Sequence, residues 1–211
     1  MRRALDDPLG GPLGRLFHVP AMTAIVADGR DEDHEVIALE ELIAALARVG
    51  VPRGRQYVLL AHPGDTPADA RERTRRLRAI LGVPVLAHDP ARSSGYVPGA
   101  LPDGTPLELD DELREAEEVV LMGPCAAPDA DGAHGGAALL WPGLGSAAAR
   151  TAHAAHPAAA GADLALARAV LAHVPSAFAL WWNADAPPRV RAGETLALLE
   201  ECVGEGWFGM R

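Results

Sequence analysis

Short polar pairs stand where predicted strands end, and their side chains are of the kinds that bind anions or move protons. In chain order these pairs are Asp28 with Arg30, His62 with Asp65, and His88 with Asp89. A guanidinium group offers a planar fork of donors that matches a phosphate, and the N–H groups that open a following helix add to the attraction. The first pair is therefore predicted to bind a phosphate group, and the alternative is an ion pair or a helix cap within the loop.

Acid–base chemistry is the second possibility at these strand ends. His88 is a residue type that titrates near neutral pH, and Asp89 beside it could assist it as a base. Adjacent side chains seldom face each other, however, and such a pair often only caps a turn. Asp65 is a further candidate base, although an unperturbed carboxylate is poorly matched to a weakly acidic C–H proton. The predicted catalytic residues are His88, Asp89 and Asp65.

A glycine-rich stretch, DGAHGGAALLWPGLGS, occupies residues 131–146. Glycine is favoured wherever the backbone needs a positive φ or must approach another group closely. A turn of this kind is typical of loops that face an anion or a cofactor, and Gly135 and Gly136 are its predicted cofactor-binding residues. The alternative is a plain connection without a ligand.

Three histidines around this stretch suggest a metal site, since imidazole is a common ligand of nickel and zinc. They are His134, His153 and His156. The last two are three residues apart and would share one face of a helix. Pro157 and the surrounding alanines are equally typical of a surface loop, and no cysteine or carboxylate stands at ligand spacing. His153 is the predicted metal ligand.

Composition excludes several kinds of chemistry. All 19 basic side chains are arginine, so Schiff-base chemistry, a P-loop lysine and a lysine-tethered cofactor are excluded. The net charge of −10, with no long basic run, argues against nucleic acid or an anionic membrane as partner. Only 2 cysteines, no leader-like apolar segment and no membrane-length apolar run predict a cytoplasmic protein.

Alternating apolar runs predict an α/β fold with a parallel, Rossmann-like sheet and flanking helices, as one domain over residues 1–211. Strands are predicted at 21–27, 57–61 and 83–87, with helices between them at 36–49 and 68–81. Because parallel sheets bind ligands at the carboxyl ends of their strands, the polar pairs fall where a site is expected.

The remaining pattern is less regular. Residues 4–18 are predicted to be a lead-in with one short helical turn. After the third strand, the pattern predicts a hairpin over 95–109, a short acidic helix over 110–118 and a strand at 118–122. Residues 147–160 are of low complexity. The final elements are predicted as a helix over 163–173, a strand at 177–182, a turn at 183–191 and a helix over 192–203.

Several stretches, in chain order, resemble the N-terminal domain of the nickel-dependent lactate racemase family. The matching motifs are ALDDPLG at 4–10, IVADGR at 25–30, AHPGDTP at 61–67, His88-Asp89, GTPL at 104–107 and GGAALLWPG at 135–143, followed by His153, Asn183 and Gly193-Glu194. The aspartate and arginine of IVADGR stand one residue closer than in the family's D-x-T-R motif. The resemblance spans nearly the whole chain and implies that family's α/β fold.

The resemblance also implies a cofactor, because in that family a pyridinium mononucleotide tethered through the lysine of a GG.K motif holds the nickel. Here Ala138 stands at the lysine, Asp65 and Pro128 stand at two histidines, and Thr66 at an arginine. The residues that keep suitable chemistry are Asp28 and Arg30 for a phosphate, His88 and Asp89 for proton transfer, and His153 near the metal. The chain ends at Arg211, so the family's separate C-terminal domain is expected to be absent.

These replacements favour a relative without racemase activity that binds a phosphate-bearing small molecule, or a partner, through its strand-end loops. The alternative is a diverged nickel-dependent 2-hydroxyacid racemase or epimerase. It would hold its cofactor without a covalent bond and use Asp65, His88 or His153 for acid–base steps. A third hypothesis is a subunit completed by a separate chain that supplies a lid domain. The resemblance leaves the identity of the cofactor, and whether the chain is an enzyme, open.

Overall fold

A mainly parallel β-sheet forms the centre of the protein. The computed structural model describes residues 1–17, 21–30, 32–62, 64, 66–92, 95–129, 132–134, 136–154, 164–183 and 188–207. The strands are β1 (Thr23–Ala27), β2 (Gln56–Leu60), β3 (Val85–Ala87), β4 (Glu118–Asp129), β5 (Gly132–His134), β6 (Ser176–Asn183) and β7 (Val190–Gly193). Their order is β3-β2-β1-β4-β6-β7, with β5 paired to β4.

The strands β1, β2, β3, β4 and β6 are parallel, whereas β5 and β7 pair antiparallel to their neighbours. Every residue of β1 and β2 is buried, as expected of inner strands covered on both faces. The predicted α/β fold with a Rossmann-like parallel sheet is confirmed.

Helices pack on both faces of the sheet. They are α1 (Arg2–Asp6), α2 (Leu13–Leu16), α3 (Glu32–Arg48), α4 (Pro67–Leu81), α5 (Ala147–Ala154), α6 (Leu164–Leu171) and α7 (Thr195–Gly204). Helix α4 shows why its bounds were predictable: Thr66 and Asp69 form a reciprocal capping box, Pro67 opens the helix, and Gly82 ends it in the left-handed region.

Alternating strand residues feed two apolar layers. Ile25 and Val58 belong to the layer that packs against α1, α2, α3 and α4. Val26 and Leu59, each one residue later, belong to the opposite layer, with α6, α7 and the segment 101–113. Successive side chains of a strand point to opposite faces of the sheet, so the sheet separates the two apolar layers.

The edge strand β7 was missed by the sequence analysis, which placed a turn up to residue 191 and a helix from residue 192. Val190–Gly193 is instead a strand, and α7 begins at Thr195 behind the side chain of Glu194, which accepts from the N–H groups of Leu196 and Ala197. The outer edge of β7 is covered by Leu9, which donates its N–H to Ala192 O (2.9 Å) and accepts from Glu194 N–H (2.9 Å).

Other boundaries also differ from the sequence-based prediction. Strand β4 does not end at Met122 as predicted but runs on to Asp129, and so includes Gly123, Pro124 and Cys125. The acidic segment forms only a short 3₁₀ helix, Asp111–Glu115. The lead-in holds two short helices instead of one, and part of the alanine-rich stretch forms α5. No helix among the described residues is long and apolar enough to cross a membrane.

Candidate functional site

The candidate site lies at the carboxyl ends of β1, β2 and β4. The chain runs outward from β1 through β2 to β3 and then returns to β4 on the other side of β1. The carboxyl ends of β1 and β4 therefore form the point at which the direction of winding changes. In open α/β sheets this is the usual place for a ligand, because the following connections diverge and leave a crevice.

Asp28 stands at this point. Its backbone N–H donates to Met122 O of β4 (3.2 Å), and its carbonyl accepts from His62 N–H after β2 (2.8 Å). The side chain is fully buried. Its Oδ1 accepts from Arg30 Nε (2.8 Å), while its Oδ2 is buried and has no hydrogen-bond partner among the described residues. Buried polar atoms are nearly always hydrogen-bonded, so Oδ2 is one of the few that the described residues leave unsatisfied.

Two glycines, Gly29 and Gly123, allow the backbone at the end of β1 to approach His62 and β4 closely. Gly29 has φ +92°, and a Cβ there would collide with the carbonyl of His62. A Cβ on Gly123 of β4 would lie 3.0 Å from the Cβ of Asp28 and 3.6 Å from Leu139. The N–H of Gly29 is fixed by Glu35 Oε1 in the first turns of α3 (2.7 Å). Larger residues at 29 and 123 would separate the strand ends.

His62 lies against the guanidinium of Arg30. The Nη2 of Arg30 lies 3.2 Å from Nδ1 and 3.4 Å from Nε2 of the ring, and Nδ1 lies 3.8 Å from Asp28 Oδ1. Burial, and then the charge on Arg30, lowers the pKa of His62 to about 4, against the opposing effect of Asp28. The imidazole is therefore uncharged at neutral pH.

Arg150 reaches the same place from α5. One of its Nη groups donates to the carbonyl of Gly143 and, at 3.4 Å, to that of Ala61 at the end of β2. Its Nε is buried and has no hydrogen-bond partner in the part of the chain that the structure describes. Among the described residues no carboxylate pairs with it, and burial, followed by the charge on Arg30, lowers its pKa. A guanidinium in this state is a site feature that the sequence analysis missed.

The position of Arg150 follows from the local sequence of α5. Ser146 caps the helix, since its Oγ accepts from Ala149 N–H (3.1 Å) while its hydroxyl donates to Glu108 (2.6 Å). The side chain of Arg150 then points back toward the end of the sheet. The only sequence signal was an arginine within an otherwise small-residue run, AAAR.

His88 and Asp89 do not form a pair. Nδ1 of His88 lies 2.6 Å from Oδ2 of Asp110, and its Nε2 lies 3.0 Å from the carbonyl of Gly145. Asp89 is exposed and accepts from Ala91 N–H (3.0 Å), the turn-capping alternative that the sequence had offered. The buried His88 ring thus ties the end of β3 to two other segments, and the catalytic role predicted for the pair stays a prediction.

The described part of the glycine-rich stretch is compact. Gly136 has φ +60° and opens a 3₁₀ helix, Gly136–Leu139, which is wholly buried. The carbonyl of Ala138 accepts from Gly143 N–H (2.9 Å), and the peptide bond between Trp141 and Pro142 is cis. Leu139 approaches Gly123 beside Asp28, so this stretch forms one wall of the candidate site.

Three predicted site residues are not placed. Asp65 and Gly135 lie outside the described residues, and for His153 only its backbone in α5 is described. Among the described residues no group of three or more His, Cys, Asp or Glu side chains is arranged to hold a metal ion.

The described residues do not fit the tethered nickel cofactor that the sequence resemblance implies. Ala138, at the lysine position, is buried and ends in a methyl group that cannot form the covalent link. Both ring nitrogens of His88 lie at hydrogen-bonding distance from protein acceptors, the carboxylate of Asp110 and the carbonyl of Gly145.

Comparison with known proteins places the fold. No protein-family model matches the sequence, and no curated protein matches it significantly. Among solved structures, the lactate racemase apoprotein from Thermoanaerobacterium thermosaccharolyticum is similar, with a TM-score of 0.71 and 19% sequence identity. The match covers 98% of this chain and 54% of that structure, so the chain spans about half the length of the protein it resembles. The chain therefore has a lactate racemase-like fold over nearly its whole length, as the order of its sequence motifs predicted.

Proposed function

We propose that the chain binds a phosphate-bearing small molecule at the carboxyl ends of β1, β2 and β4, between Arg30 and Arg150. The observation that carries this proposal is the Arg150 guanidinium, which is partly buried, lacks a carboxylate partner among the described residues and keeps a buried Nε without an acceptor. Burying an uncompensated cation is unfavourable, and an anionic ligand would remove that penalty.

The electrostatics of the cluster support the same ligand. Arg30 and Arg150 both act on His62 and lower its pKa, so two like charges converge on one small region of an acidic protein. The repulsion between two guanidinium groups falls when an anion lies between them. A phosphate also suits them chemically, because its oxygens accept the forked N–H donors of arginine.

The experiment is a titration of the full chain with inorganic phosphate, followed by the NMR signals of the arginine Nε–H groups. We expect the Arg150 signal to shift in a saturable way. Arg150→Gln should weaken phosphate binding about tenfold or more, because a hydrogen bond to a charged group contributes about 1.5–3 kcal/mol. Arg150→Lys keeps the positive charge but loses the forked donors, so its affinity for phosphate should lie between those of the wild type and Arg150→Gln.

Arg168→Gln is the matched control. Arg168 is an exposed arginine of α6 whose guanidinium pairs with Glu200 of α7. The control should bind phosphate like the wild type. Equal loss in Arg150→Gln and Arg168→Gln, or no saturable shift at Arg150, would contradict the proposal. Binding of an acidic peptide with no response to phosphate would instead indicate a partner protein.

We also propose that the chain does not racemise 2-hydroxy acids. The support is the methyl group at Ala138 and the commitment of both ring nitrogens of His88 to Asp110 and Gly145. The test is co-expression with a nickel-pincer cofactor pathway, followed by native mass spectrometry, elemental analysis and a lactate racemisation assay. Stoichiometric nickel with a nucleotide-sized adduct and turnover would establish the alternative, an enzyme that holds its cofactor non-covalently.

A further inference from the structure

We propose that His62 is part of the anion site and takes up a proton as the anion binds, so that binding strengthens as the pH falls. This inference rests on the proposed anion-binding function and adds a regulation to it. The sequence pattern puts His62 directly after a strand but assigns it neither a catalytic nor a binding role.

The position of the His62 ring allows it to donate a hydrogen bond to a bound anion. Among the described residues, its ring nitrogens have polar contacts with Arg30 and Asp28, at distances of 3.2–3.8 Å, and its side chain is 27% exposed. Because Arg30 Nη2 is almost equidistant from the two ring nitrogens, it cannot be aligned with both lone pairs at once. At least one ring nitrogen is thus available to donate to an anion once it is protonated.

The charges that face His62 explain why it is uncharged without a ligand. Among the described residues these are Asp28 and Arg30, from the segment after β1, and Arg150, from α5. Two cations and one anion, added to burial, disfavour an imidazolium. An anion that contacts both guanidinium groups would reverse this balance, since it brings negative charge to the ring and offsets the repulsion from the arginines.

Protonation of His62 and binding of the anion are thermodynamically linked. If the bound anion raises the proton affinity of His62, protonation must strengthen anion binding by the same factor. With the pKa of His62 at about 4 in the free protein and restored to its ordinary value of 6.5 in the complex, the association constant should rise about tenfold between about pH 7.5 and about pH 5.5. Close to one proton should be taken up per anion at the lower pH.

Sulfate is the probe, because it remains a dianion across this range, so the pH dependence of its binding comes from the protein. Sulfate is titrated into the full chain by isothermal titration calorimetry at both pH values, in two buffers of different ionisation enthalpy, which gives the proton uptake directly. His62→Gln is the matched variant, since glutamine keeps a polar side chain and cannot titrate. The variant should bind sulfate with nearly the same constant at both pH values.

The outcomes separate this inference from the proposed function. Sulfate binding that does not strengthen at the lower pH, or a pH dependence that His62→Gln retains, would overturn the inference and leave anion binding standing. No sulfate binding at either pH would overturn both. If His62→Gln does not fold, histidine NMR titrations of the wild type decide the matter, because the His62 signal must titrate at higher pH with sulfate than without it.

Discussion

The buried ring of His88 gives the sharpest prediction about stability. Its Nδ1 lies 2.6 Å from Asp110 and its Nε2 3.0 Å from the carbonyl of Gly145, so the ring joins the end of β3 to the start of the acidic segment and to the glycine-rich wall of the site. His88→Ala removes both hydrogen bonds and leaves the mostly buried carboxylate of Asp110, among the described residues, with the N–H of Glu112 as its remaining donor.

The magnitude follows from these contacts. A hydrogen bond to a charged group contributes about 1.5–3 kcal/mol, and a buried polar group left without its partner costs about 1–3 kcal/mol. Asp110 keeps one donor and some exposure, so we expect the free energy of unfolding to fall by about 3 kcal/mol in His88→Ala. The assay is urea denaturation followed by tryptophan fluorescence, with the slope m compared between variants.

Asp89→Ala is the adjacent control. Asp89 is exposed and its carboxylate accepts from Ala91 N–H, so the loss of this side chain should change the free energy of unfolding by about 1 kcal/mol or less. In a double-mutant cycle, His88→Ala and Asp110→Ala should show strong coupling, because each removes the same interaction. If His88→Ala is as stable as Asp89→Ala, the ring is not a structural tie, and a catalytic role for His88 gains support.

Other predictions concern the remaining buried groups. The pKa of His62 lies at about 4 in the folded protein and at 6.5 in a free histidine, so unfolding takes up a proton between these pH values. The free energy of unfolding should therefore fall by about 2–3 kcal/mol as the pH falls from about 7 to 4. In urea titrations, His62→Gln should remove this fall. Burial raises the pKa of Cys125 and of Cys202, the latter to about 12, so neither thiol should react with a disulfide reagent until urea unfolds the chain; rapid native labelling of either would refute this. Gly123→Ala should destabilise by about 1–2 kcal/mol, because the added Cβ would lie 3.0 Å from Asp28, whereas Gly54→Ala, with nothing within 4 Å, should be near neutral in the same assay.

Most of the sheet could be predicted from sequence because its signals are local. The apolar runs of β1 and β2 and the capping residues of α4 each lie within one short segment. Strand β7 was missed because VRAG is short and half polar, and its pairing with β6 and Leu9 is a tertiary fact. Strand β4 was ended too early because Gly123-Pro124 is typical of a turn, whereas here the glycine lets the strand pass close to Asp28.

The site could be predicted only in part. Its location followed from the strand ends, and Asp28 and Arg30 lie there as expected. The partner of His88 is Asp110, 22 residues away, and no periodicity links them. Arg150 comes from a helix within an alanine-rich stretch and meets the carbonyl of Ala61, 89 residues earlier, because β4 lies beside β1 and the chain that follows β4 returns to the end of β2. Such long-range contacts leave no mark in the local pattern.

The most direct test of the anion site is a crystal of the full chain soaked in tungstate and measured for anomalous scattering. The account predicts a tungsten peak at the carboxyl ends of β1, β2 and β4, within hydrogen-bonding distance of Arg30 and of Arg150 Nε, and its loss in Arg150→Gln crystals of the same form. Tungsten peaks only elsewhere on the molecule, or a peak at this place that persists unchanged in Arg150→Gln, would contradict the account.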